Sequence, residues 1–411
     1  MPVLKNIRTL YQCSSSGGQS DIFPIENAAL AWNTEGVITW VGKESDAPSE
    51  LETEISFDAK DHVAIPGLID CHTHLAFGGE RSAEFEMRAL GKSYLEIAKA
   101  GGGILSTVES TRAASEEELT ERARETLHKM IALGVTTVEC KSGYGLSLKD
   151  EMKLLSVYQA LQNSEKPTLL TTFLGAHTIP KEYIDNRKQY IDLLINEMIP
   201  AIAEQHLATF CDIFVEDSAF QIDEARNILE VGKQHGLRPK LHADQLSDGG
   251  GAALAAELGA ISADHLEQIS DHGISQMAST GVVGVTLPIA SLYTQQTPLN
   301  ARRLIEAHIP IAVATDFNPG SAPSYHLPLA LMLACNLNRM SPSEALKGAT
   351  LYAAQALGIE NTVGSLELGK NADFALLDTP SVNHWLYQFQ SNNCVATVKE
   401  GELLYGTMNT L

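Results

Sequence analysis

Eight short apolar runs, separated by longer segments of helical periodicity, constrain the fold of this chain more than any other feature. In order they are AIPGLIDCHTH (64–74), VTTVEC (135–140), TLLTTFLGAH (168–177), CDIFVE (211–216), PKLHAD (239–244), ISADHL (261–266), VVGVTLP (282–288) and PIAVATDF (310–317). None alternates strictly between apolar and polar, which suits parallel strands covered on both faces rather than a half-exposed sheet. Eight strand-like runs alternating with helices predict an α/β fold, a (β/α)8 TIM-like barrel. The segment 116–134 reads as one outer helix: Leu119, Ala123, Leu127, Met130 and Ile131 share a face, and Gly134 follows as a stop.

Both termini lie outside this pattern. Residues 28–41 read as two short β segments around a turn from Asn33 to Gly36, and SSSGGQS at 14–20 is too polar and glycine-rich for an element. The far end, with ADFALLD, NCVATVKE and a Glu400-Gly401 turn before ELLYG, has the same β character. Neither piece can enclose a core alone. A single composite β domain built from 1–65 and 363–411, flanking a barrel at 66–362, is therefore expected.

The formal charge of -22 makes the average surface repel phosphate backbones, which argues against nucleic acid or an anionic membrane as partner. An anionic substrate then has to be held by local cations. The six cysteines (13, 71, 140, 211, 335 and 394) form no CxxC pair, so they read as core thiols of a reducing compartment. No run approaches the roughly 18 apolar residues of a membrane span, and MPVLKNIRTL lacks an apolar signal core. A soluble, cytoplasmic protein is the expectation.

Chemistry-bearing residues fall at the ends of the apolar runs: His72 and His74 after the first, His177 after the third, His242 after the fifth, His265 after the sixth and Asp316 after the eighth. In a barrel, those ends form the active face. Alternate strand residues point the same way, so His72 and His74 can approach one ion together while Thr73 and Cys71 turn aside. Three imidazoles and a carboxylate, with a position left for water, make a catalytic set for zinc or a similar ion. The ligands assigned are His72, His74, His242 and Asp316. A single histidine is usually just a solvated or hydrogen-bonded side chain, and His128, His235 and His308 keep that reading within or near helix ends. The shared placement of the others reverses it.

With PGLIDCHTH at 66–74 and VGSLELGKNADFALLD at 363–378, the chain resembles the amidohydrolase superfamily over nearly its whole length. Some members hold two metals through a carboxylated lysine after the fourth strand. Here CDIFVEDSAF offers Glu216 instead, which favours a single ion with Glu216 in a supporting role. Further phrases narrow the resemblance to the imidazolonepropionase family: FGGER, KSYLEIAKAGGGI, KSGYGL, FLGAHTIP, LHADQLSDGGGAALAAELGAISADHLE and ATDFNPGS.

That resemblance implies hydrolysis of 4-imidazolone-5-propanoate to N-formimidoyl-L-glutamate, with one zinc or iron ion per chain and a homodimer as an allowed assembly. It also implies that Arg81, Tyr144, His177, Asn318, Gly320 and Ser321 receive the substrate, with Tyr94 as an added contact. Arg81 suits a carboxylate through its planar fork, and Tyr144 offers an apolar face with a hydroxyl. Gln245 joins this set; its amide can orient a ring N–H but cannot shuttle protons. In the implied mechanism a metal-activated water attacks the ring carbonyl, Asp316 carries the proton to the departing nitrogen, and His265 orients the nucleophile or stabilises the oxyanion.

Overall fold

The computed structural model describes residues 1–53, 55–92, 96 and 102–410, and Tyr94 lies outside the described residues. Each of the eight apolar runs contributes one parallel strand: Leu68–Thr73, Val135–Lys141, Thr168–Ala176, Phe210–Ile213, Arg238–Ala243, Ser262–His265, Val283–Thr286 and Ile311–Val313. Every strand pairs with the next in chain order. The barrel closes just beyond the eighth strand, where Asp316 N donates to His72 O at 3.0 Å and His74 N donates to Phe317 O at 2.8 Å. Barrel closure and the juxtaposition of His72, His74 and Asp316 are thus one event.

The expected outer helix spans Glu116–Ile131 and buries Leu119, Ala123, Leu127, Met130 and Ile131, the predicted face. Ser115 and Glu118 form a reciprocal capping box at its start, satisfying two backbone N–H groups that would otherwise lack partners.

Among the described residues, a second sheet of nine strands draws on both ends of the chain. Its central strand Val63–Pro66 pairs in parallel with Val3–Tyr11 and antiparallel with Phe374–Leu377, so the termini are interleaved. The Asn33 to Gly36 turn joins Pro24–Trp32 to Ile38–Lys43 as expected, with Gly36 N donating to Asn33 O at 3.1 Å. This sheet packs its own core around Leu4, Trp32, Phe374 and Val398. Gly67 alone separates it from the first barrel strand. A Cβ there would sit 2.4 Å from Thr136 Oγ1, so the close passage from sheet to barrel requires glycine.

All six cysteines are free, and Cys71 is fully buried, with burial pushing its thiol pKa far up. Among the described residues no helix is long and apolar enough to cross a membrane.

Candidate active site

The strand ends surround a cavity of about 450 Å³. His72 and His242 are the closest pair of rings, with centroids 4.6 Å apart; His74 lies 5.7 Å from the first and 5.8 Å from the second. Ligand atoms of His72, His74 and His242 fall within 4.8 Å of one another, as do those of His72, His265 and Asp316. Asp316 Oδ1 lies 3.4 Å from His72 Nε2 and 3.7 Å from His74 Nε2. His72 Nε2 and His242 Nε2 are buried without a hydrogen-bond partner. Burial and neighbouring positive charge, Lys141 included, hold His72 and His74 well below the usual histidine pKa. Imidazole nitrogens left without hydrogen-bond partners in such a cluster fit a divalent ion.

The backbone is strained where these side chains are aimed. His265, Leu266 and Asp316 are non-glycine residues at φ values of 80°, 70° and 55°. Such conformations cost on the order of 1–3 kcal/mol each and cluster at functional sites. Burial pushes the Asp316 carboxyl up to about 6, although His265 and His242 pull the other way. For His265, burial opposes protonation, but Glu267 and Asp316 outweigh it and raise the pKa.

Arg81, Tyr144, His177, Gln245, Asn318, Gly320 and Ser321 all line the cavity. His177 Nδ1 faces Gly143 O at 3.0 Å, and its ring stacks on His74 with centroids 5.1 Å apart. Burial holds His177 near a pKa of about 3, hence neutral. Asn318 Oδ1 accepts from Gly320 N and Ser321 N, both at 2.8 Å, which pins the loop after the eighth strand. Arg81 differs from its expected posture: Nε and Nη2 already bind Glu84, at 2.9 and 2.7 Å, which leaves Nη1 beside Gly320 as its cavity-facing edge. Glu216 turns to the following loop, accepting from Leu246 N at 2.9 Å and from Ser247 Oγ, consistent with its supporting role.

Sequence reasoning missed what lies beneath. His72 Nδ1 meets Asp264 Oδ2 at 2.6 Å, and His242 Nδ1 lies 3.1 Å from Asp212 Oδ2. Asp264 holds the His72 ring with Nε2 toward the site, and Asp212 stands beside His242 Nδ1 without an aligned hydrogen bond. Lys141 Nζ joins them, 2.7 Å from Asp212 and 3.5 Å from Asp264, and also binds Glu139 at 2.8 Å. Burial alone would lower the Lys141 pKa, but Asp212, Glu139 and Asp264 raise it instead. The signal was present as alternating polar positions in or just after the apolar runs: Asp70 and His72, Glu139 and Lys141, Lys240 and His242.

Two results are expected from this layer. Asp212→Asn or Asp264→Asn weakens metal affinity by about ten- to a hundredfold, measured by competition with a chromogenic chelator. Lys141→Met removes the cation shared by three buried carboxylates and lowers unfolding free energy by about 3–5 kcal/mol, read from denaturant titration.

Clustered imidazoles and one carboxylate at the strand ends of a parallel barrel are the equipment of metal-dependent hydrolysis. The model of the amidohydrolase family matches residues 63–404. An adenosine deaminase from Xanthomonas campestris, solved with bound zinc, shares the fold at a TM-score of 0.72 and 18% identity, covering 98% of this chain and 93% of that one. The imidazolonepropionase of Geobacillus thermodenitrificans is 45% identical over 389 residues, 94% of this chain and 92% of that protein. That of Thermoanaerobacter pseudethanolicus is 42% identical over 404 residues, 97% and 96% of the two chains. The chain belongs to the amidohydrolase family and, within it, to the imidazolonepropionases.

Proposed function

We propose that this protein opens the ring of 4-imidazolone-5-propanoate by hydrolysis, yielding N-formimidoyl-L-glutamate, the third step of histidine degradation. The observation that carries this reading is the 45% identity to an imidazolonepropionase over almost the full length of both chains. The cavity lining supports it, because a flat ring can stack near Tyr144 and His177 while polar groups of the Asn318–Ser321 loop face its substituents.

His72, His74, His242 and Asp316 would hold one ion, zinc or iron. When bound, it supplies the Lewis acidity that makes water a nucleophile near neutral pH. Asp316 takes the proton from the attacking water and returns it to the ring nitrogen as the C–N bond breaks. His265, with its raised pKa, hydrogen-bonds the oxygen on which negative charge develops. Gln245 orients the ring through its amide, and the proton stays with Asp316. The division into a barrel at 66–362 and a composite domain from 1–65 and 363–411 belongs to the same proposal, as does a cytoplasmic location.

The test is the ultraviolet absorbance of freshly prepared imidazolonepropionate incubated with purified protein. Accelerated, chelator-sensitive decay with formimidoylglutamate as product is the expected result. Decay at the spontaneous rate with metal-replete protein refutes the reading.

A further inference from the structure

Three histidines of the site turn Nδ1 toward a buried carboxylate, and the third pair differs from the other two. His72 meets Asp264 at 2.6 Å and His242 lies 3.1 Å from Asp212, each carboxylate standing on a different strand from the ring it faces. For His265 the group is Glu267, two residues further along the chain, with Oε2 3.7 Å from Nδ1. That distance is beyond hydrogen-bond reach. Both atoms are buried and both lack a partner, so a ring nitrogen and a carboxylate oxygen are left unsatisfied side by side.

The local backbone makes this pair. His265 and Leu266 both adopt left-handed conformations, with φ of 80° and 70°, so the chain turns sharply after the strand Ser262–His265 and brings the Glu267 side chain beside the ring. Leu266 N donates to Ala243 O at 3.0 Å and Gln268 N to Asp244 O at 2.8 Å, which fixes the residue between them. The carboxylate is also aimed from its other oxygen: Ser291 Oγ, on the helix Pro288–Thr294, donates to Glu267 Oε1 at 2.9 Å. Glu267 does not line the cavity, so it can act there only through His265. Asp264, next to His265 in sequence, is already held by Ser262 and His72.

We propose that Glu267, oriented by Ser291, is the positioning residue of His265: it keeps hydrogen on Nδ1 and holds the ring with Nε2 left to serve the oxygen on which charge develops. The inference rests on the ring-opening reading above. A shift of about 1 Å brings Nδ1 within hydrogen-bond reach of Oε2, and such contacts often tighten only when substrate is bound. No existing hydrogen bond is given up, because the Ser291 contact uses the opposite oxygen. A histidine nitrogen takes its role from the bond that the other nitrogen makes.

The test is a double-mutant cycle on zinc-loaded proteins matched for metal content and circular dichroism. Glu267→Gln keeps the volume and removes the carboxylate, so kcat on imidazolonepropionate should fall about ten- to a hundredfold while KM changes less than about twofold. In the His265→Ala background the same substitution should change kcat less than about twofold, since the ring it positions is gone. Ser291→Ala frees the carboxylate without removing it and should cost about threefold; it carries the cycle if Glu267→Gln does not fold. Equal losses in both backgrounds, or an undiminished kcat in Glu267→Gln, overturn the proposal. If the parent does not open the ring, the ring-opening reading fails, and nitrogen-15 NMR of the His265 ring, assigned by its absence in His265→Ala, still judges Glu267. Hydrogen on Nδ1 in the parent that is lost from it in Glu267→Gln is the expected result, and identical ring spectra overturn the proposal.

Discussion

His72→Ala, His74→Ala and His242→Ala each yield a folded protein that has lost bound ion and activity together. Each substitution removes one imidazole from a set whose ligand atoms lie within 4.8 Å of one another. The remaining groups cannot complete a tetrahedral shell, so affinity drops. An ion's stabilisation of transition-state charge is worth several kcal/mol, so kcat/KM falls by on the order of a thousandfold or more. Elemental analysis of the purified variants is the deciding measurement. Full occupancy in all three would show that the ligands lie elsewhere. The fold should tolerate the changes, because the seam at this point is made by backbone groups of His72 and His74 rather than by their rings.

Asp316→Asn should be nearly as damaging and for a separable reason. The amide preserves volume and can still donate or accept a hydrogen bond, but it cannot take up a proton at neutral pH. Positioned proton transfer contributes about a hundredfold to ten-thousandfold, so kcat should fall by that range while KM changes little. Some metal loss is also expected, since Asp316 stands beside His72 and His74. Reconstitution with ion before assay separates the two effects, and near-normal kcat in metal-replete protein would exclude the proton-carrying role. His265→Ala, measured alongside, should also act mainly on kcat.

Much of this molecule was legible from its sequence because parallel barrels leave a periodic trace. Eight buried strands become eight apolar runs, and the residues at their ends converge; the clustering of His72, His74, His242, His265 and Asp316 follows from that one rule. The helix Glu116–Ile131 was equally readable, since its buried face has the period of a helix. Other features depend on contacts between distant strands. Nothing local says that Lys141 on the second strand bridges Asp212 on the fourth and Asp264 on the sixth. Arg81 illustrates a different limit: it lines the cavity as expected, but its pairing with Glu84, one helical turn away, was not read from its type or position.

The seam between the first and last barrel strands also governs timing. During synthesis from the N-terminus, His72 and His74 emerge early and His242 later, but Asp316 N and Phe317 O, which lock the seam, come only when most of the chain has been made. A nascent or truncated polypeptide ending before residue 316 therefore displays imidazoles without the strand that gathers them. Assembly of the candidate site thus waits on the last barrel strand, and an incomplete product holds its histidines without the carboxylate that stands beside them.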